Sequence, residues 1–404
     1  MRELRRWTLG AALALAATAA QAEAPDPADW AAVEDAARGQ QVYWAAWGGE
    51  PRINAYIAWV ADEVDRRFAI ELTHVKVSDI ADTVSRVLAE KVAGNTTDGA
   101  VDLMWINGEN FAAMKRQDLL FGPWAEALPN FALTNPDDNP AMREDFTVPV
   151  EGYEAPWGKA QLTFFYDSAF EPDPPRSIAA LGEWAEANPG RFTYPMVPNF
   201  LGSTFLKQAL IALAPERAPL DDPVDAADYA AMTAPLWDYL DALHPNLWRG
   251  GRDFPSDGGE LRRLLGDGEI TIAFDFDPVA ASAAIEAGEL PSSVRGYALK
   301  GGTIGNVNFT AIPFNSGAKA AAMVVANFLL SPEAQARKQD PAVWGGFTVL
   351  DLDALAAEER DRFEALDLGV ATPTPSALGA PLPEPHPSWM ARLEDDWRER
   401  YGAR

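Results

Sequence analysis

The chain has 404 residues, 48% of them hydrophobic and 23% charged, with a formal net charge of −27. So acidic a surface makes nucleic acid and anionic membrane surfaces poor partners, while the apolar content suffices for real cores in two or three domains of roughly 100–200 residues each. The complete absence of cysteine excludes disulfides, thiolate metal sites and the acylated cysteine of a bacterial lipoprotein.

Arg2, Arg5 and Arg6 precede an apolar stretch from Trp7 to Ala20, and Ala20-Gln21-Ala22 follows as a small-x-small pattern. This predicts an export signal cut near Ala22-Glu23, because the stretch is shorter than the roughly 20 residues of a bilayer span. Arg5-Arg6 leaves both the general and the twin-arginine route open. Without residues 1–22, 30 basic residues face 59 acidic ones, a balance of −29. The expected location is periplasmic.

Gln41 to Trp47 reads as a strand, Gly48-Gly49-Glu50 as a turn, and Pro51 as the first residue of a helix. Ile53, Ile57, Val60, Val64 and Phe68 recur at helical spacing, which predicts one buried stripe. A second strand over residues 70–77 leads to a helix capped by Ser78 or Asp79, and a third over 101–106 runs into Asn107-Gly108-Glu109-Asn110. Strand and helix alternate as in a parallel α/β sheet, whose ligands bind at the carboxyl ends of the strands.

Residues 123–158 are rich in proline, asparagine and charge and predict a long surface excursion. Lys159 to Tyr166 resumes an apolar strand, the candidate first crossing between lobes, and Asn306 to Pro313 is the candidate second crossing. Between them, Ser203 reads as a helix cap, and the strand 269–274 opens into Asp275-Phe276-Asp277 before Pro278. Ala318 to Leu330 is an alanine-rich helix, and the proline-rich tail from Thr372 to Pro387 delivers a last helix capped by Ser388, with Trp389, Leu393, Trp397 and Tyr401 on one face.

Pro174-Pro175-Arg176-Ser177-Ile178, Leu181, Trp184 and Asn188-Pro189-Gly190-Arg191-Phe192 resemble the segment after the first interlobe strand in type II periplasmic binding proteins. Trp44-x-x-Trp47-Gly48-Gly49, Trp105-Ile106-Asn107-Gly108-Glu109-Asn110-Phe111 and Pro383-Glu384-Pro385-His386-Pro387-Ser388-Trp389-Met390 are most similar to the YnjB-like group, periplasmic components of ABC importers. The resemblance spans nearly the whole mature chain. It implies two α/β lobes joined by crossover strands around a ligand cleft: a signal peptide over 1–22, lobe 1 over 23–160, lobe 2 over 161–304, a return to lobe 1 over 305–345, and C-terminal helices with a proline-rich tail packing on the lobes over 346–404. It implies a small-molecule ligand and docking to an inner-membrane ABC permease, by a monomer with no cofactor and no metal. Ferric binders of this class use adjacent tyrosines, and no Tyr-Tyr pair occurs here.

Chemistry at the lobe edges is aromatic, small or acidic. The candidate ligand-binding residues are Trp47, Gly48, Gly49, Asn107, Gly108, Glu109, Trp157, Phe200, Ser203, Asp275, Asp277 and Asn306. Aromatic faces flanked by carboxylates suit an organic cation or zwitterion, such as a thiamine-like or choline-like compound. Structural roles compete: Trp44 and Trp105 read as core, Asn107 and Glu109 as helix caps, and Asp275 and Asp277 as helix-start residues. His74 falls in a strand, while His244 and His386 precede prolines in expected surface turns.

No catalytic role is expected. The sequence contains neither His-x-x-x-His nor Gly-x-Ser-x-Gly, and the glycine-rich stretch 301–305 lacks the lysine of a phosphate-binding loop. The alternative is a secreted carbohydrate-active enzyme or sugar-binding protein, with a carboxylate pair such as Glu109 and Asp275. An adhesion role for the fourteen tryptophans conflicts with spacing that predicts their burial.

Overall fold

The computed structural model describes residues 24–402. The expected signal peptide lies outside them. β1 (Gln41–Trp47), β2 (Glu71–Val77) and β3 (Leu103–Ile106) pair in parallel, linked by the Pro51–Phe68 and Ile80–Val92 helices. Ile53, Ile57, Val60 and Val64 are all buried, so the stripe read from the sequence is the face laid on the sheet. A hairpin of β4 (Glu144–Asp145) and β5 (Val148–Pro149) precedes β6 (Glu154–Gln161). Part of the expected surface excursion is therefore structural, because β6 is the outer strand of the first sheet.

β7 (Thr163–Asp167), β8 (Ile272–Asp275) and β9 (Val294–Tyr297) form a second, antiparallel sheet in the order β8-β7-β9. β10 (Gly305–Ala311) then returns to the first sheet, pairing antiparallel with both β3 and β6 to give the order β2-β1-β3-β10-β6. Only Leu162 separates β6 from β7, and its N–H donates to the carbonyl of Ile304 at 2.8 Å, immediately before β10. The two crossings thus run side by side. Few torsions lie between the lobes, the arrangement that permits hinge motion.

Each sheet has its own core. In the first, Trp157 is wedged among Trp44, Trp105 and Trp344 with ring centroids 5.3, 4.8 and 5.4 Å away, contacts that add about 0.5–1.5 kcal/mol each beyond their buried area. In the second, the helix Phe200–Leu213 places Phe205 on Phe274 at 5.7 Å. The chain between Val349 and Phe363 packs into the first core, whereas Trp389, Leu393 and Trp397 join the second. A third passage between the lobes therefore precedes the tail.

Three local expectations need correction. Asn199, whose side chain accepts from the Leu201 N–H at 3.0 Å, caps the helix that contains Ser203. Ser388 is the first residue of the last helix, and its Oγ accepts from the Val224 N–H at 2.8 Å. His244 is buried at 2.7 Å from the Tyr194 hydroxyl, because Tyr194, Phe254 and Tyr401 close over the turn that carries it.

Candidate functional site

The first lobe offers the carboxyl ends of β1 and β3. After Trp47, which is 44% exposed, the Gly48 N–H is held by the Val77 carbonyl at 3.0 Å. A Cβ at Gly48 would stand 2.7 Å from that of Lys76, and one at Gly49 would stand 2.5 Å from the Trp47 ring. The two glycines therefore let the chain turn beneath its own indole. Glu50 next accepts from the Arg52 N–H at 3.3 Å and caps the helix that follows.

Beyond β3, the Asn107 side chain does not cap its helix. Asn107 Nδ2 and Trp105 Nε1 both donate to Asn308 Oδ1, at 3.4 and 3.3 Å, fixing the amide at the sheet edge. Gly108 adopts φ +58° with the Phe146 ring packed against its Cα, so a side chain is excluded by both backbone and space. Its N–H donates to Asp145 Oδ2 at 2.6 Å. The neighbouring Glu109 is exposed, yet the surrounding protein pushes its carboxyl upward against the pull of Lys207.

From the second lobe come Phe200 and the loop after β8. Phe200 is 44% exposed and stands edge-on to Phe276 at 5.1 Å. Asp275 Oδ2 lies 3.1 Å from Arg262 Nη1, while Oδ1 accepts from the Asp277 N–H at 3.1 Å. Asp277 Oδ1 accepts from the Val279 N–H at 3.1 Å. Among the described residues no cation stands within ion-pair distance of Asp277. Burial, with Asp275 adding to it, pushes this carboxyl up to about 7, against the opposing pull of Arg52 and Lys338 from the first lobe.

Side chains of the two lobes meet at these places among others. At the first, Arg262 reaches across to Glu50 at 3.6 Å, which joins the β1 turn to the β8 loop. At the second, Lys207 Nζ lies 4.9 Å from the Phe146 ring centroid, and Thr147 Oγ1 donates to the Asp221 carbonyl at 3.4 Å. Lys207 itself is paired with Glu384 at 2.7 Å, both side chains 1% exposed.

Several expected site residues sit elsewhere. Trp157 is 1% exposed within the tryptophan core and has no open face, so it is corrected from a stacking surface to a packing residue. Ser203 is buried and donates to Glu394 Oε1 at 2.6 Å, and Asn306 Nδ2 donates to Glu384 Oε1 at 3.1 Å. Ser203 thus bonds to the last helix and Asn306 Nδ2 to the tail. Asp275 is neutralised by Arg262 and is corrected from a free negative partner. The cross-lobe contacts of Glu50, Lys207 and Arg262 are not legible in the sequence because nothing in their spacing marks the opposite lobe. Lys338 is wholly buried, its Nζ donates to the Trp157 carbonyl, and burial holds its ammonium well below the usual lysine range.

Two α/β lobes linked by adjacent crossing strands, with strand ends meeting across a cleft, define the type II periplasmic binding fold. Residues 59–350 match the family described as bacterial extracellular solute-binding protein, and the chain belongs to it. It is 46% identical over 374 residues to protein YnjB of Escherichia coli K12, covering 93% of this chain and 94% of that one.

Solved structures agree on the fold. The TpPotD lipoprotein of Treponema pallidum superposes with TM-score 0.63 at 14% identity, over 89% of this chain and 98% of that one. A putative spermidine/putrescine ABC transporter protein from Listeria monocytogenes gives 0.61 at 15%, over 90% and 99%. The periplasmic binding protein AfuA of Actinobacillus pleuropneumoniae, with fructose-6-phosphate bound, gives 0.61 at 12%, over 90% and 99%.

Proposed function

We propose that this protein is the periplasmic capture component of an ABC importer and that its cleft takes a small organic cation or zwitterion, with thiamine-like and choline-like compounds as the first candidates. Asp277 carries this reading. It is a carboxylate at the cleft with a hydrogen bond from its own loop and no cation of the protein beside it. A ligand cation would supply the missing charge partner, in a setting where the attraction is weakly screened. Trp47 and Phe200 are the exposed aromatic faces, with Glu109 and Asn107 as further polar contacts.

An anionic ligand finds less. Arg262 is held by Asp275, Arg52 lies 3.6 Å from Glu50, and the helix beginning at Gly108 already receives the Asp145 carboxylate. The enzyme alternative loses its proposed carboxylate pair, since Asp275 is bound to Arg262 at one junction and Glu109 stands near Lys207 at the other. The deciding experiment is a thermal-shift screen of thiamine and its phosphates, choline, betaines, polyamines, neutral sugars and sugar phosphates, alongside native mass spectrometry of protein from its own periplasm. Stabilisation by cations or zwitterions is expected. Stabilisation by neutral sugars or anions alone overturns the ligand class and leaves the capture role standing.

A further inference from the structure

The sequence Trp-Gly-Gly occurs twice, at Trp47-Gly48-Gly49 and at Trp344-Gly345-Gly346, and the fold gives both copies a similar local form. In each, the second glycine lies beneath its own indole: a Cβ at Gly49 would stand 2.5 Å from the Trp47 ring, and one at Gly346 would stand 3.1 Å from the Trp344 ring. Gly345 adopts φ +102°, which a side chain would strain. The second turn is tied to the first sheet, because the Lys159 N–H on β6 donates to the Phe347 carbonyl at 3.1 Å. Tyr56, Trp105 and Trp157 brace Trp344, with ring centroids 5.6, 5.8 and 5.4 Å away. Trp344 nevertheless stays partly exposed, whereas Trp44 and Trp157 are covered.

Both turns meet one loop of the second lobe, at its opposite ends. Asp275 holds Arg262 at 3.1 Å, and Arg262 reaches Glu50, the residue directly after the first Trp-Gly-Gly, at 3.6 Å. At the other end Val279 abuts the second turn so closely that a Cβ at Gly345 would stand 2.9 Å from the Val279 Cβ. Asp277 lies midway and is bonded to both ends: its N–H donates to Asp275 Oδ1 at 3.1 Å, and its Oδ1 accepts from the Val279 N–H at 3.1 Å. The first-lobe cations whose pull reaches its carboxyl are Arg52, which follows the first turn, and Lys338, whose Nζ lies 5.9 Å from the Trp344 ring centroid. That agrees with a place between the two turns.

We propose that Trp47 and Trp344 are paired aromatic walls on either side of Asp277, and that the cleft therefore selects a cation whose charged nitrogen is alkylated or part of a flat ring over a primary amine. This selection rests on the cation or zwitterion reading of the cleft. A primary ammonium brings three N–H donors, each of which needs an acceptor when it leaves water. Two indole faces and one carboxylate do not supply that set. An alkylated or ring cation has no such donors on its charged nitrogen, and the quadrupole of tryptophan attracts it more strongly than that of any other side chain. The carboxylate balances its charge.

Calorimetric titration of the protein, freed of co-purified solute by unfolding and refolding, compares choline, glycine betaine and thiamine with ethanolamine, glycine, putrescine and spermidine. The tightest binder should come from the first group and lead every primary amine by about tenfold or more. Trp47→Leu and Trp344→Leu, which keep an apolar side chain and remove the indole face, should each weaken that binder by about 5- to 30-fold. Trp344→Phe restores a ring and should recover part of the loss. If Trp344 serves packing alone, Trp344→Leu lowers the melting temperature while the folded protein binds as the parent does, and the proposal falls. Should Trp344→Leu not fold, the ranking of the two groups by the parent protein decides. A primary amine as the tightest binder overturns the proposal and leaves the cation reading standing, whereas a protein that takes only neutral sugars or anions overturns both.

Discussion

Asp277 links ligand binding to pH in a direction fixed by its surroundings. Its carboxyl titrates near 7 in the free protein, and a bound cation would favour the charged form and lower that value. Affinity for a cation should therefore rise as pH climbs through about 7 and weaken below it. Calorimetric titration on either side of this pH checks the slope, and Asp277→Asn should flatten it while costing ~2–5 kcal/mol of affinity. A slope that survives the substitution removes Asp277 from the site. Asp275→Asn should behave otherwise. It weakens the bond to Arg262, so denaturant unfolding should show a loss of about 1.5–3 kcal/mol in the ligand-free protein.

Helices and strands were legible where burial imposes a period, and side-chain partners were not. The span Gln41–Trp47 and the helix starting at Pro51 match the sequence reading because an apolar run ends in a glycine turn and the stripe of Ile53, Ile57, Val60 and Val64 reports one local face. Trp157 misled because strand alternation does not distinguish a face turned to a cleft from one covered by Trp44 and Trp344. Asp145 and Glu154 are buried within a stretch whose prolines and charges read as surface. The tail shows the same limit: Pro383 to Met390 is recognisable as a motif, but not that Glu384 within it buries an ion pair with Lys207 on the Phe200–Leu213 helix. Breaking that pair with Glu384→Gln should cost ~3–5 kcal/mol, since Lys207 is left charged and desolvated. Replacing both residues by methionine should restore most of the loss in chemical denaturation. Equal destabilisation by the single and double variants would mean that tail packing alone, without the ion pair, holds the two elements together.

Side chains of the protein itself meet across the lobes, so contacts besides those to the solute contribute to closure. Glu50 and Arg262 form the cross-cleft ion pair at 3.6 Å, with side chains 23% and 14% exposed. A pair so placed is worth roughly 0.2–1 kcal/mol, which shifts an open–closed ratio by roughly 1.4- to 5-fold. Glu50→Gln removes it, together with the Arg52 pairing inside the first lobe, while glutamine can still accept from the Arg52 N–H and preserve the helix cap. Small-angle scattering of the ligand-free variant should give a larger radius of gyration than the parent. Saturating ligand should return both to the same compact value, because the solute selects the closed state in either protein. Affinity should fall by the same factor as the closed population, mainly through faster release, and added salt should shrink the difference by screening the parent's ion pair. Identical scattering and affinity in parent and variant would show that the Glu50–Arg262 pair follows closure without favouring it, leaving closure to the other contacts, such as Phe146 with Lys207 and Thr147 with Asp221.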